Sequence, residues 1–247
     1  MSAFAAVWRR ELSLLFTSPI AWVVLTAHHL FNGLAWRNLF SAWQVDCRAA
    51  ATRGAVPALT YADSVIEPYF VGLAFSLVLF VPFLTMRSIA DERRTGMLAL
   101  LSSLPLSEGA LVRGKLAALA TLVVALVVPA ATLPAAVRGI APFEPMVVAS
   151  GTLGVLGLGL AAVSLGVFVS AVVESLPAAA AGASGALLVL FFADRFWEPA
   201  AAVGFRAALE SFARGAPSSA SGARFVVVAI AFASLATWEL RARRVRP

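Results

Sequence analysis

Long apolar runs, separated by short breaks of charge, glycine or proline, fill this chain. Six runs approach the length of a membrane-crossing helix, about 20 residues at roughly 1.5 Å rise each: residues 19–40, 68–89, 111–133, 146–170, 176–193 and 225–240. The last is short and must stand upright or end in the interface. Pro82, Pro129, Gly151, Gly154 and Gly157 fall inside the runs, where a membrane helix tolerates them. No alternating ten-residue pattern suggests a β-barrel. The pattern predicts an all-α integral membrane protein with six transmembrane helices, one domain over residues 1–247.

Three further segments are amphipathic rather than apolar. Residues 2–17 place Phe4, Trp8, Leu12 and Leu15 on one face and Arg9, Arg10 and Ser13 opposite, as expected of an N-terminal interfacial helix over 1–18. Thr17, Ser18 and Pro19 then supply an N-cap and a first-turn proline that start span 1 afresh. Span 2 runs into a charged stretch with no turn signal before Gly96. Beyond it Met97, Leu100, Leu101 and Leu104 fall at i, i+3, i+4 and i+7, a helical stripe ended by Pro105. This second amphipathic helix, residues 91–105, is too short to span and too apolar to float. Residues 203–214 alternate Phe205, Leu209 and Phe212 with Arg206, Glu210 and Arg214, predicting an extracytoplasmic amphipathic helix before span 6. A flexible linker, Gly215–Gly222, is expected after it.

Composition agrees with the pattern. Hydrophobic residues make up 61% of the 247 and charged ones only 13%, with mean hydropathy +0.89, against about 25% charged in soluble domains. No separate soluble domain and no cleavable signal are expected. Six spans put both termini on one side. The runs Arg93–Arg94 and Arg241 to Arg246 then fall inside, as the positive-inside rule requires. The net charge of +6 is therefore topological, and nucleic-acid binding is not expected. Cys47, the single cysteine, falls in the first outer loop and can make no intramolecular disulfide. One lysine among 19 basic residues, with abundant alanine, fits a GC-rich bacterial genome.

Little in the chain suggests chemistry of its own. Residues Gly109 to Lys115 match G-x-x-x-x-G-K, but Leu116 stands where a Ser or Thr would hold magnesium, and no strand precedes. Lys115 reads instead as a lysine snorkelling from the inner end of span 3. His28 and His29 are the only histidines; adjacent on a helix, they point about 100° apart and cannot share a metal. With Thr26 and Asn32 they make a polar strip, lining a pathway or forming structural hydrogen bonds. Asp91 and Glu92 beside Arg93 and Arg94 are an ion-paired solvated cluster or a docking surface. Small residues at four-residue spacing (Ser150/Gly154, Gly157/Ala161, Ala162/Gly166/Ser170) allow close helix packing, within the chain or between chains.

Taken in order along the chain, several stretches resemble bacterial ABC-2 type permeases, close to the gliding-motility and related branch. Glu11 to Trp22 resembles that branch's opening. Pro82 to Arg87, and Asp91 to Leu101 followed by Leu104 and Pro105, resemble the family's Glu-Arg-Arg-x-Gly-Thr-Leu-Glu-Leu-Leu segment. Met97 stands where the family commonly has Thr, and Ala99 where it has Glu. Gly114-Lys115-Leu116 resembles the entry to span 3, and Glu210 to Gly215 the stretch before the last span.

The resemblance implies a non-catalytic permease subunit in the bacterial inner membrane, both termini cytoplasmic. It would dimerise with a second copy or a paralogue and engage a cytoplasmic P-loop ATPase, which would bind ATP and magnesium; this chain would carry no cofactor. Residues 91–105 would be the coupling helix. Asp91, Glu92, Arg93, Arg94 and Gly96 would belong to its docking surface, with Glu92, Arg93 and Arg94 making polar contacts and Met97, Leu100, Leu101 and Leu104 packing the helix against protein and bilayer. Membrane lipid is an expected partner, and the resemblance leaves room for an extracytoplasmic auxiliary subunit. The cargo would be exported or moved in a motility-related process. Two other readings stay open: a membrane anchor that recruits ATPase or motor components without transport, and an ion-coupled secondary carrier.

Overall fold

The computed structural model describes residues 3–56, 59–103, 107–141, 143–196 and 204–245. It is helical, with no strand among the described residues: α1 (Ala3–Thr17), α2 (Pro19–Thr52), α3 (Glu67–Thr85), α4 (Ala90–Arg94), α5 (Met97–Ser103), α6 (Glu108–Ala131), α7 (Pro145–Val172), α8 (Leu176–Phe191), α9 (Ala193–Phe196), α10 (Phe205–Ala213) and α11 (Ser219–Val245). A π-helical turn, Ala62–Ile66, leads into α3. Four stretches are long and apolar enough to cross a membrane: Ala62–Arg94, Glu108–Val137, Pro145–Val172 and Ser219–Arg244. α1 and α2 add a fifth when counted together, although they bend by 70° at the break between them. α8 is apolar but has only 16 residues. The protein is a multi-pass membrane protein.

α7 is the axis of the bundle. It packs against α3, α6, α8, α10 and α11, and its small residues are consumed within the chain. A Cβ on Gly154 would lie 2.5 Å from Phe212 Cβ on α10, one on Gly157 would lie 3.0 Å from the Phe225 ring on α11, and one on Gly166 would clash with Thr85 on α3. Tyr69 and Tyr61 tie the far end, donating to Ala130 O at 2.8 Å and Pro134 O at 3.0 Å.

Several sequence expectations need correction. α2 runs to Thr52 rather than residue 40, so Cys47 is helical and not in a loop. Alanines 49–51 sustain the helix, and Gly54 closes it at φ +64°, donating to Ala51 O at 3.1 Å. α3 stops at Thr85 instead of running on to Gly96. The last helix starts at Ser219, so the linker is shorter and the final span longer than expected. α10 turns its apolar face to the protein, with Phe205, Ala208 and Leu209 fully buried, while Arg206 and Glu210 on its other face are partly exposed. α1 also turns a different face inward, burying Val7 and Glu11 while Phe4 is exposed.

Candidate functional site: the α4–α5 segment and its anchors

Four charges from three helices close a ring at one end of the bundle. Arg10 Nη1 on α1 donates to Glu11 Oε1 at 2.8 Å and to Glu92 Oε1 on α4 at 2.9 Å. Lys115 Nζ on α6 donates to Glu11 Oε1 at 3.1 Å and lies 2.9 Å from Glu92 Oε2. The Lys115 side chain is 1% exposed and that of Glu92 10%. Two carboxylates and two cations alternate, so the ring is neutral while each buried charge has opposite neighbours, the condition under which buried ions are tolerated. Gly114 makes the ring reachable: a Cβ there would lie 2.5 Å from Val7 Cγ1, so only glycine lets α1 sit this close to α6.

α4 has two further anchors. Ser170 Oγ on α7 accepts from Ile89 N at 3.1 Å and Ala90 N at 3.0 Å, and donates to Met86 O at 3.0 Å. A side chain far along the chain thus takes over backbone groups that a continuous helix would have paired, which is how a helix is interrupted without a turn residue. Arg93 Nη2 donates to Ala171 O, and Arg243 Nη2 to Val172 O at 3.0 Å. Both guanidiniums cap the negative C-terminal end of α7. Arg244 Nη1 binds Glu108 Oε1 at the start of α6 at 2.6 Å.

The expected single helix over 91–105 is two helices. Gly96 at φ +73° turns the chain between α4 and α5, a conformation that glycine adopts at no steric cost. Glu92 and Arg93 therefore point at the protein itself. The outward residues are Arg94, whose side chain is 64% exposed, Thr95, Gly96, Met97 and Leu100. Asp91 is partly exposed and pairs with Arg94 at 3.1 Å and Arg87 at 3.6 Å. Leu101, placed by its spacing on the same stripe, packs against the core together with Leu98. Leu104 lies outside the described residues.

The second candidate set divides. His28 and Asn32 are buried, whereas Thr26 is exposed and His29 half-buried. Asn32 Nδ2 donates to Ser76 Oγ on α3 at 3.1 Å and to His28 O at 2.8 Å, and Ser76 Oγ lies 3.3 Å from His28 Nδ1. The set joins α2 to α3. Among the described residues no three His, Cys, Asp or Glu side chains gather to hold a metal ion.

Spacing along the sequence missed Lys115, Arg10, Glu11 and Ser170. Lys115 does not snorkel; it is the most buried charge of the ring. The available signal was its singularity: the one lysine of the chain follows a glycine at the entry to a span.

A family model described as ABC-2 family transporter protein matches residues 7–234. No curated protein matches the chain.

Proposed function

The chain belongs to the ABC-2 transporter family, and from that premise we propose that α4 and α5 couple it to a separate cytoplasmic ATPase. It is a membrane permease component. In this reading two permease chains form the pore and a P-loop ATPase docks on the α4–α5 segment of each. One observation carries the proposal. The segment shows Arg94, Met97 and Leu100 outward while Glu92, Arg93 and the α4 backbone are fastened to α1, α6 and α7. A push on its outer side is passed to three helices at once. ATP can shift the permease only through contacts that differ between its states, and this segment is placed to carry them.

Six passes are part of the same proposal. α1, the starts of α2, α6 and α8, and the ends of α3, α7 and α11 meet at one end through Arg87–Ser18, Lys115–Glu11, Arg243–Glu174 and Arg244–Glu108. The chain then leaves along α2, α6 and α8 and returns along α3, α7 and α11, an even number of crossings. Arg10, Arg87, Arg93, Arg94, Lys115, Arg241, Arg243 and Arg244 at that end favour the cytoplasmic side of a bacterial inner membrane. The resemblance to the gliding-motility branch adds export or motility-related transport as the task.

The test is co-purification from native membranes. Wild-type chain is expected to bring down a vanadate-sensitive ATPase, and Met97→Asp with Leu100→Asp to lose it while still inserting. Full ATPase recovery by that double variant would overturn docking at this segment.

A further inference from the structure

The elbow between α1 and α2 encloses a cavity of about 430 Å³, inside the roughly 300–1,000 Å³ range of ligand sites. Its lining is divided by chemistry. Leu14, Leu15, Ile20, Phe83 and Leu84 form an apolar wall, and Ser18, Arg87, Ser88 and Asp91 form a polar end beside the charge ring. Leu14 and Phe83 are 50% and 46% exposed, so the wall opens outward on an apolar lip.

Within the lining itself the charges balance, Arg10, Arg87 and Lys115 against Glu11, Asp91 and Glu92. The ring satisfies itself, two carboxylates against two cations. Outside it Asp91 serves two guanidiniums, Arg87 at 3.6 Å in the lining and the exposed Arg94 at 3.1 Å beyond the lining, so an excess of one positive charge stands just outside the cavity. Arg87 is held loosely, its other contact being Ser18 Oγ at 3.5 Å. The Ser18 hydroxyl makes no cap hydrogen bond to α2. One guanidinium and the Ser18 hydroxyl suit phosphate oxygens, and the adjoining wall suits the first carbons of an acyl chain.

We propose that this cavity binds a membrane phospholipid, its phosphate on Arg87 and Ser18 and its upper chain along the apolar wall. The assignment rests on the permease reading, with α1 lying along the cytoplasmic membrane surface. A lipid seated there fills the angle between α1 and α2 and fixes the bend beside the charge ring.

The experiment uses the purified chain without any ATPase, so that its outcome and the docking test stay separate. Detergent-washed protein is titrated with phosphatidylglycerol, with diacylglycerol of the same chains, and with inorganic phosphate, and bound molecules are counted by native mass spectrometry. One firmly retained phosphatidylglycerol is expected. Arg87→Met should weaken it about tenfold, as loss of a charge-assisted hydrogen bond implies. Leu14→Trp, a change at an exposed position that fills the lip, should weaken it while leaving Arg87 in place. Equal retention of diacylglycerol would show an ordinary apolar lipid contact and overturn the site. Inorganic phosphate binding as firmly as the lipid would reassign it to a free anion, and unchanged binding by both variants would also overturn it.

Discussion

Lys115 shows how much a single residue can depend on its neighbours. Its ammonium is buried between Glu11 and Glu92, and removing it leaves two buried carboxylates with Arg10 alone between them. Breaking such a pair from one side costs about 3–5 kcal/mol, whereas removing both charges often costs little. Lys115→Met is therefore expected to lower the thermal unfolding temperature in detergent clearly, and adding Glu92→Gln to recover most of the loss. A single variant as stable as wild type would mean that the ring contributes nothing to stability. The neighbouring Gly114 obeys a steric rule rather than an electrostatic one. Gly114→Ala must displace Val7, so α1 should be cleaved faster in limited proteolysis while the rest of the bundle keeps its protection.

At the scale of elements, α4 is too short to persist alone, since one turn of helix fixes several dihedrals for one hydrogen bond. It exists because α7 supplies Ser170 to its first N–H groups and receives Arg93 at its own C-terminus. Ser170→Ala would leave Ile89 N, Ala90 N and Met86 O unpaired, at a cost of about 1–3 kcal/mol for a buried group left unsatisfied. Hydrogen exchange should then quicken over residues 86–94 and stay unchanged in the middle of α7. Uniform quickening along α7 would instead mean that Ser170 serves the helix it sits on. The 34-residue α2 belongs to the same scale: at roughly 1.5 Å per residue it is about 51 Å long, against about 30 Å of hydrocarbon. In the proposed six-pass arrangement, part of it stands clear of the hydrocarbon.

For the whole molecule the decisive property is parity. α1, the end of α11 and the α4–α5 segment share one end, and Cys47 lies far along α2. In whole cells an impermeant maleimide is expected to label Cys47 from outside. In a Cys47→Ser background, Arg94→Cys should be labelled only after the membrane is opened. Labelling of both positions from the same side would overturn the proposed six-pass arrangement.

The sequence by itself determined the solvent and the material: lipid offers backbone groups no partner, which leaves helices or closed barrels, and long apolar runs without ten-residue alternation select helices. It also marked the Ser18 break, the charged stretch after α3 and the small-residue rows of α7, since each depends on neighbours within a few residues. Tertiary structure decided where helices stop and which charges face inward. The interruption at residues 86–89 requires Ser170, and the inward turn of Glu92 requires Lys115 and Arg10. Spacing along the chain gave Glu92 and Arg93 the same outward role as Arg94. The difference arises because a buried charge is stable only where distant helices bring its counter-charge within about 3 Å, and periodicity in one segment holds no information about the others.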